Sequence, residues 1–303
     1  MTRLYITGGR GFIARHFLQT HSHDFEVICA PHRREPSVQE GHIERPKSDG
    51  SAEDLCRILK AFKPDVVVNF AASGVKPNNR DADNLTRTNA TLAAALFSSA
   101  RDCGAQGFVQ IGSMAEYAAP DTARPLLETD ALTYTNRYGT SKAAATLLLS
   151  SLAESAGIAT FTLRLFGVYG PGELPHRLTS HILKQTQSGA LVELSAGTQQ
   201  RDFIYIRDVV SAISAAINSS LSQDGGHEII NIGSGQAISV KDFALDFCAV
   251  GNLPTSGLKF GSLPMRDTDA PYLVADISKA KRLLNWTPKW NHHIGLRDFF
   301  KML

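Results

Sequence analysis

The first residues commit the chain to one kind of fold. Leu4-Tyr5-Ile6 is a short apolar run that ends in Thr7-Gly8-Gly9-Arg10-Gly11 and passes straight into Phe12-Ile13-Ala14. A strand, a glycine turn and a helix in immediate succession make a βα unit, whose next strand returns parallel to the first. Gly8 permits the tight turn. Gly11 lets backbone amides approach an anion at a helix N-terminus, which carries partial positive charge. Ala14 takes the third position of the usual glycine pattern, where helix and strand pack closely and a methyl group is the smallest addition possible. The stretch is expected to hold the diphosphate of a dinucleotide at Gly8, Gly11, Phe12 and Ile13, with Arg10 beside it.

The alternation continues. Strands are predicted at Leu4–Thr7, Glu26–Ala30, Val66–Phe70, Phe108–Ile111 and Ala159–Leu165, and helices at Phe12–Thr20, Glu53–Phe62, Asn84–Cys103 and Tyr138–Ala156. The predicted fold class is therefore α/β, a doubly wound Rossmann-type parallel sheet with a smaller mixed α/β substrate lobe. The regular beat ends near Tyr169-Gly170-Pro171-Gly172. This places a dinucleotide-binding domain at 1–170 and a substrate-binding lobe at 171–303, with parts of 203–232 returning to the first domain. Later elements are helices at Leu178–Gln187, from near Asp208, at Val240–Cys248 and at Ile277–Leu284, and a strand at Glu228–Ile232. A chain of 303 residues, 43% hydrophobic, supports a core of this size.

The end of the second strand separates two cofactors. Readers of NAD place an acid there, about 20 residues past the glycine loop, to bind ribose hydroxyls. Here the strand runs into Ala30-Pro31-His32-Arg33-Arg34, and the first carboxylate is Glu35. An acid would repel the extra phosphate of NADP, whereas guanidinium groups grip it. His32, Arg33 and Arg34, with Arg10 from the first loop, predict NADP(H) in preference to NAD(H), with NAD(H) as the other possibility. Asp49, ahead of a helix, is a candidate for the adenine amino group and equally for a helix-capping or loop acid. Ala71 and Ala72 follow the Val66–Phe70 strand and offer free backbone at the sheet edge where a dinucleotide lies.

Several classes of function are excluded. Net charge is +2, with lysine and arginine spread along the chain, so neither nucleic acid nor a membrane surface is an expected partner. No apolar run reaches the roughly 20 residues of a spanning helix. The N-terminus enters the first strand directly, so no signal peptide is expected. Cys29, Cys56, Cys103 and Cys248 have no CxxC spacing, which predicts reduced core thiols, a cytoplasmic location and no metal.

Catalysis points to two stretches. Tyr138 and Lys142 in RYGTSK are four residues apart, which on a helix places them on one face with a rise of about 6 Å. A phenol holds its proton near a pKa of about 10. A neighbouring ammonium is expected to lower that value and let Tyr138 exchange protons near neutrality. Upstream, Ser113 in FVQIGSMAEY stands at the carboxyl edge of the sheet, where its hydroxyl can hold a carbonyl oxygen while Tyr138 protonates it.

These motifs together resemble the extended short-chain dehydrogenases/reductases of the NAD-dependent epimerase/dehydratase type, which act mostly on nucleotide-diphosphate sugars. The resemblance runs through TGGRGFIA, DVVVNFAA at 65–72, GSMAEY at 112–117, Tyr138–Lys142 and RLFGVYGPGE at 164–173. It continues through QQRDFIYIRDV at 199–209, INIGSG at 230–235 and MRDTDAPYLVADISKAKRLLNWTP at 265–288. It implies that Ser113 holds the carbonyl, that Tyr138 is the acid/base and that Lys142 binds the nicotinamide ribose and tunes Tyr138. It implies Asn89 near the cofactor and Met114 and Ala115 beside the sugar. Arg201, Arg266 and Asp269 would hold the diphosphate and ribose of a nucleotide-diphosphate sugar. A homodimer through a four-helix bundle of helices 84–103 and 138–156 is also implied.

Three chemistries compete. A dehydratase of this type carries an acid just after the Ser/Thr, where this chain has Met114 and Ala115. Glu116 comes one residue too late, which turns it elsewhere. The preferred expectation is an NADPH-dependent reductase of a nucleotide-diphosphate 4-keto-6-deoxyhexose in deoxysugar biosynthesis. Hydride would reach the C4 ketone and Tyr138 would supply the proton. The alternative is a nucleotide-sugar 4-epimerase with tightly bound NAD, and a remoter one is a non-catalytic NADP-sensing regulator. The intact Ser113, Tyr138 and Lys142 set speaks against the last.

Overall fold

Runs such as Val66-Val67-Val68 carry branched side chains on both faces and form strands buried on both sides, as a parallel sheet covered by helices demands. The computed structural model describes residues 1–30, 38–40, 43–76, 80–265 and 269–303. Its strands are β1 (Thr2–Thr7), β2 (Phe25–Cys29), β3 (Val38–Glu40), β4 (Ile43–Arg45), β5 (Val66–Asn69), β6 (Gly107–Ser113), β7 (Ala159–Leu165), β8 (Gly167–Tyr169), β9 (Val192–Leu194), β10 (Gln200–Arg201), β11 (Phe203–Tyr205), β12 (His227–Ile232), β13 (Ile238–Ser239), β14 (Leu258–Phe260) and β15 (Tyr272–Leu273). Its helices are α1 (Phe12–His21), α2 (Ala52–Phe62), α3 (Ala82–Leu85), α4 (Leu92–Asp102), α5 (Arg137–Ala153), α6 (Leu178–Gln187), α7 (Ile206–Ser220), α8 (Val240–Val250), α9 (Ser278–Leu284) and α10 (His292–Lys301).

The central sheet has eight strands in the order β12-β7-β6-β5-β1-β2-β4-β3. Every neighbouring pair is parallel except the β3–β4 hairpin. This is the doubly wound Rossmann-type arrangement expected from the alternation of elements. Strand order reverses between β1 and β5, so the loops leaving those two strands open the crevice in which ligands of such sheets bind.

Helices cover both faces. On one side α1 and α7 pack on Leu4, Ile6, Val68, Val109, Ile111, Phe161 and Leu163. On the other, α2, α4 and α5 pack on Tyr5, Val67 and Phe108. Ser51 caps α2 by accepting from Asp54 N at 3.2 Å, and Lys63 ends it in the left-handed region at φ 51°.

Two departures from the sequence reading matter here. The helix expected over Asn84–Cys103 is not uniform: a π-helical segment, Thr86–Thr91, joins α3 to α4. The β3–β4 hairpin was not anticipated, because strands of three residues leave too short a pattern.

From Gly167 onward the strands β8–β11 and β13–β15 form small sheets of two or three strands. Two buried carboxylates anchor this half. Asp202 accepts from Ser234 N at 2.6 Å, Ser234 Oγ at 2.7 Å, Gly235 N at 2.9 Å and Ala275 N at 3.2 Å. Asp208 accepts from Lys289 N at 2.8 Å and Trp290 N at 2.9 Å. Acids within QQRDFIYIRDV thus tie distant loops together. The four cysteines are free thiols, and no described helix is long and apolar enough to cross a membrane.

Candidate active site

The glycine loop closes on itself through Gly11 N to Gly8 O at 2.8 Å. Gly8 has φ +65°, and a Cβ there would lie 2.8 Å from Ala71 N and from Phe70 C. Only glycine therefore lets the loop after β1 and the loop after β5 meet. Gly11 is the N-cap of α1 and brings no side-chain cap, which leaves the first amides of the helix to an outside acceptor. Phe12 and Ile13 form the half-buried first turn, Ala14 is buried against the sheet, and Arg10 is exposed on the loop. Ala71 N donates to Asn69 Oδ1 at 3.2 Å and to Thr7 Oγ1 at 3.4 Å, with exposed Ala72 following. This glycine cradle at an uncapped helix end fits a diphosphate. Asp49 is exposed and accepts from Ser51 N at 2.7 Å, a turn ahead of α2, whose cap is Ser51 itself. His32, Arg33, Arg34 and Arg266 lie outside the described residues.

Ser113 ends β6 and caps a 3-10 turn, Met114–Glu116, by accepting from Ala115 N at 3.2 Å. Helix α5 is seated directly against this turn. A Cβ on Gly139 would come within 1.8 Å of the Ala115 carbonyl oxygen, so the glycine after Tyr138 sets how closely the two elements approach. That approach brings Tyr138 and Ser113 together. Burial raises the Tyr138 phenol above its ordinary value, while a hydrogen bond with the Ser113 side chain and the charges of Arg177 and Arg80 oppose the rise. The direction reverses the sequence expectation, because enclosure of the phenol outweighs the cations around it. Lys142 is buried and donates from Nζ to the Ile111 carbonyl at 2.6 Å. Burial lowers its own pKa to about 8, with Glu116 opposing.

Glu116 points inward. It is fully buried behind the Ser113 turn, where it accepts from Ser113 N at 2.9 Å, Thr146 Oγ1 at 2.8 Å and Arg164 Nε at 2.9 Å. Both carboxylate oxygens are engaged, so Glu116 braces the Ser113 turn from within. Met114 and Ala115 are half-buried on the turn itself.

Asn89 sits in the π-helical segment and is fully buried. Its Oδ1 accepts from Ser73 N at 2.8 Å, and its Nδ2 donates to Ser73 O at 3.1 Å and Ser141 Oγ at 2.8 Å. It therefore clasps the loop after β5 to the helix that carries Tyr138 and Lys142. Single-turn π segments of this kind gather at functional sites.

On β10, Arg201 donates to the Ala270 carbonyl at 2.7 Å and lies 3.9 Å from Asp269. Two residues expected to grip a substrate are thus already neighbours. Sequence reading missed two further cations. The Arg80 guanidinium lies 5.9 Å from the centre of the Tyr138 ring, and Arg177 also bears on the phenol. It also missed Asn69 and Gln110, whose signal is visible as polar letters inside apolar strands. Among the described residues, Asp246, His292 and His293 bring ligand-type atoms within 4.8 Å of one another on α8 and α10.

The chain belongs to the NAD-dependent epimerase/dehydratase family, whose profile matches residues 4–233. It is 30% identical over 322 residues to a UDP-glucose 4-epimerase of Corynebacterium glutamicum, covering 97% of this chain and 92% of that one. Among solved structures it resembles MoeE5 in complex with UDP-glucuronic acid and NAD, at 26% identity and a TM-score of 0.84, over 99% of this chain and 98% of that one. A dTDP-glucose 4,6-dehydratase of Bacillus anthracis shares the fold at 18% identity and a TM-score of 0.84, over 99% and 96% of the two chains.

Proposed function

We propose that the protein is a nucleotide-diphosphate-sugar 4-epimerase working with a tightly held nicotinamide dinucleotide. The observation that carries this reading over the reductase is its nearly full-length likeness to a UDP-glucose 4-epimerase. The dinucleotide, when bound at the Gly8–Ile13 cradle and along Ala71, Ala72 and Asn89, supplies the acceptor and donor of hydride. Tyr138 Oη takes the proton of the sugar C4 hydroxyl and later returns one to the C4 oxygen. Ser113 Oγ holds that oxygen in both directions. Lys142 supports the nicotinamide ribose from the same helix face. Glu116 is fully committed to the scaffold, so elimination of water has no acid in place. Segment 171–303 forms the substrate lobe on a Rossmann domain at 1–170, with parts of 203–232 returning to that domain. Met114, Ala115, Arg201, Arg266 and Asp269 lie on the sugar-nucleotide side.

A second reading keeps its own support. No carboxylate stands between Ala30 and Arg34, and Arg10 is exposed on the loop. This favours NADP(H) and, with it, reduction of a 4-keto-6-deoxyhexose by freely exchanging NADPH. One experiment separates the readings. The dinucleotide released from denatured protein is identified, and turnover is followed with UDP-glucose, and with NADPH plus 4-keto-6-deoxy sugar nucleotides. Retained NAD with interconversion of UDP-glucose and UDP-galactose supports the epimerase. Stoichiometric NADPH oxidation replaces it with the reductase, and binding without turnover of any substrate replaces both with a sensor. In either enzyme Tyr138→Phe should lower turnover by roughly 100-fold or more while dinucleotide affinity holds. A near-full rate in that variant removes Tyr138 from the mechanism.

The same reading places the protein in the cytoplasm as a homodimer through the helices at 84–103 and 138–156. Its support is the four free thiols and the pair Leu147 and Leu148 on α5, which are 58% and 44% exposed in the single chain.

A further inference from the structure

Thr7, Asn69, Gln110 and Thr162 are register neighbours across β1, β5, β6 and β7. They line one row on the sheet face covered by α2, α4 and α5, and all four are buried. The row before it on that face holds Tyr5, Val67 and Phe108, and the opposite face at the same level holds Ile6, Val68, Val109 and Ile111. A polar row in such a setting is costly unless its groups satisfy one another. Three of them do so in a single direction. The Thr7 hydroxyl donates to Asn69 Oδ1, Asn69 Nδ2 donates to Gln110 Oε1 at 2.8 Å, and Gln110 Nε2 donates to the Ile111 carbonyl at 3.3 Å. The same carbonyl accepts Lys142 Nζ at 2.6 Å. At the other end, Thr7 directly precedes Gly8, and both Thr7 and Asn69 accept from Ala71 N.

We propose that Asn69 and Gln110 are positioning residues for Lys142, holding the Ile111 carbonyl as a shared acceptor and tying it, through Thr7, to the phosphate loop. This rests on the reading of Lys142 as part of the active site. The Gln110 amide takes up part of the carbonyl's accepting capacity. Without it the carbonyl is left to the ammonium, which then holds its proton more firmly. The charge that acts on Lys142 is Glu116, from the turn after β6, itself bound to Arg164 of β7, with Tyr138 one turn earlier on α5. All of these stay in place in the test.

The test is an NMR titration of the Lys142 ammonium in protein labelled with 15N-lysine, the resonance being assigned by its loss in Lys142→Arg. Gln110→Leu should move the Lys142 titration upward by about 0.5–1 pH unit, and Thr7→Val, which exchanges the hydroxyl for a methyl group of like size, should move it in the same direction by less. Val109→Ala, on the opposite face of the same strand, should leave it in place although it also destabilises the sheet. If Gln110→Leu and Thr7→Val are folded and both titrate with the wild type, or if Val109→Ala shifts the lysine equally, the assignment falls. The readout needs no substrate. Shifted titrations in a protein without epimerase activity would keep the positioning roles and remove only the functional reading.

Discussion

The two faces of the central sheet are built to different rules. Beneath α1 and α7 the side chains stay apolar to the carboxyl edge, from Leu4 and Val66 through Ile6, Val68 and Val109 to Ile111, Leu163 and Leu165. Beneath α2, α4 and α5 the face begins the same way with Tyr5, Val67 and Phe108. It then turns to Thr7, Asn69, Gln110 and Thr162, and next to Gly112, Arg164 and Asn231. Both faces are buried, so the contrast is not one of exposure. The apolar face contributes stability by removing carbon from water. The polar face contributes orientation. Thr7, Asn69 and Gln110 lead in line to the Ile111 carbonyl that Lys142 also uses. Arg164 Nε reaches Glu116 beneath Ser113, whereas Thr162 pairs with His227 and Asn231 donates to the Leu126 carbonyl.

If that division holds, substitutions on the two faces should differ in kind. The largest effect is expected at the Glu116–Arg164 pair, which is fully buried at 2.9 Å. Glu116→Leu or Arg164→Leu alone leaves a buried charge unpaired and should cost about 3–5 kcal/mol in urea unfolding, with loss of turnover. Replacing both, as Glu116→Leu with Arg164→Met, should recover most of the stability but not the turnover, because the Ser113 turn loses its anchor. Recovery of both would erase the distinction between the faces.

Leu163→Ala, on the apolar face, should cost about 2–5 kcal/mol from a cavity of lost methyl groups. Its turnover per folded molecule should stay near wild type. A loss of turnover matching that of the Glu116 variants would show the two faces to be equivalent.

The smallest effects are pH-dependent. His227 is hydrogen-bonded to Ser150 Oγ at 2.7 Å and Thr162 Oγ1 at 2.8 Å, and burial lowers its pKa from 6.5 to about 4. Between those values the unfolded chain binds the proton and the folded one does not. Stability should therefore fall as pH drops from 6.5 toward 4, and His227→Gln should flatten that limb. Lys142 is the mirror case at alkaline pH. Its pKa is lowered from 10.5 to about 8, so wild type should gain stability relative to Lys142→Met as pH rises through that window. Parallel curves in either comparison would mean that the polar face does not single out these groups.

Much of this was legible before any coordinates. The βα order, the Gly8, Gly11 and Ala14 loop and the Tyr138–Lys142 spacing are local patterns, and local geometry fixes what they form. The offset of Glu116 from Ser113 is local as well, and it places Glu116 at the inner end of the turn. What it binds could not be read, since Arg164 lies 48 residues away. Thr7, Asn69 and Gln110 stand out as polar letters in LYIT, VVVN and FVQI, yet only the pairing register aligns them into one row. The sign of the Tyr138 shift was misread because burial is a property of the assembled site, whereas a lysine four residues away is a property of the chain.

The π-helical segment at Thr86–Thr91 has an evolutionary and practical consequence. Such a segment stores one surplus residue within an otherwise α-helical run. Deleting a single residue there should return it to regular helix with both flanks close to their present orientation, so the change is confined to the segment that holds Asn89. Asn84 on Ser73 and α4 on the sheet keep their seats, while the Asn89 bonds to Ser73 and Ser141 have to be remade. Length at this position is thus a dial for the clasp between the loop after β5 and α5, separable from the core beneath it.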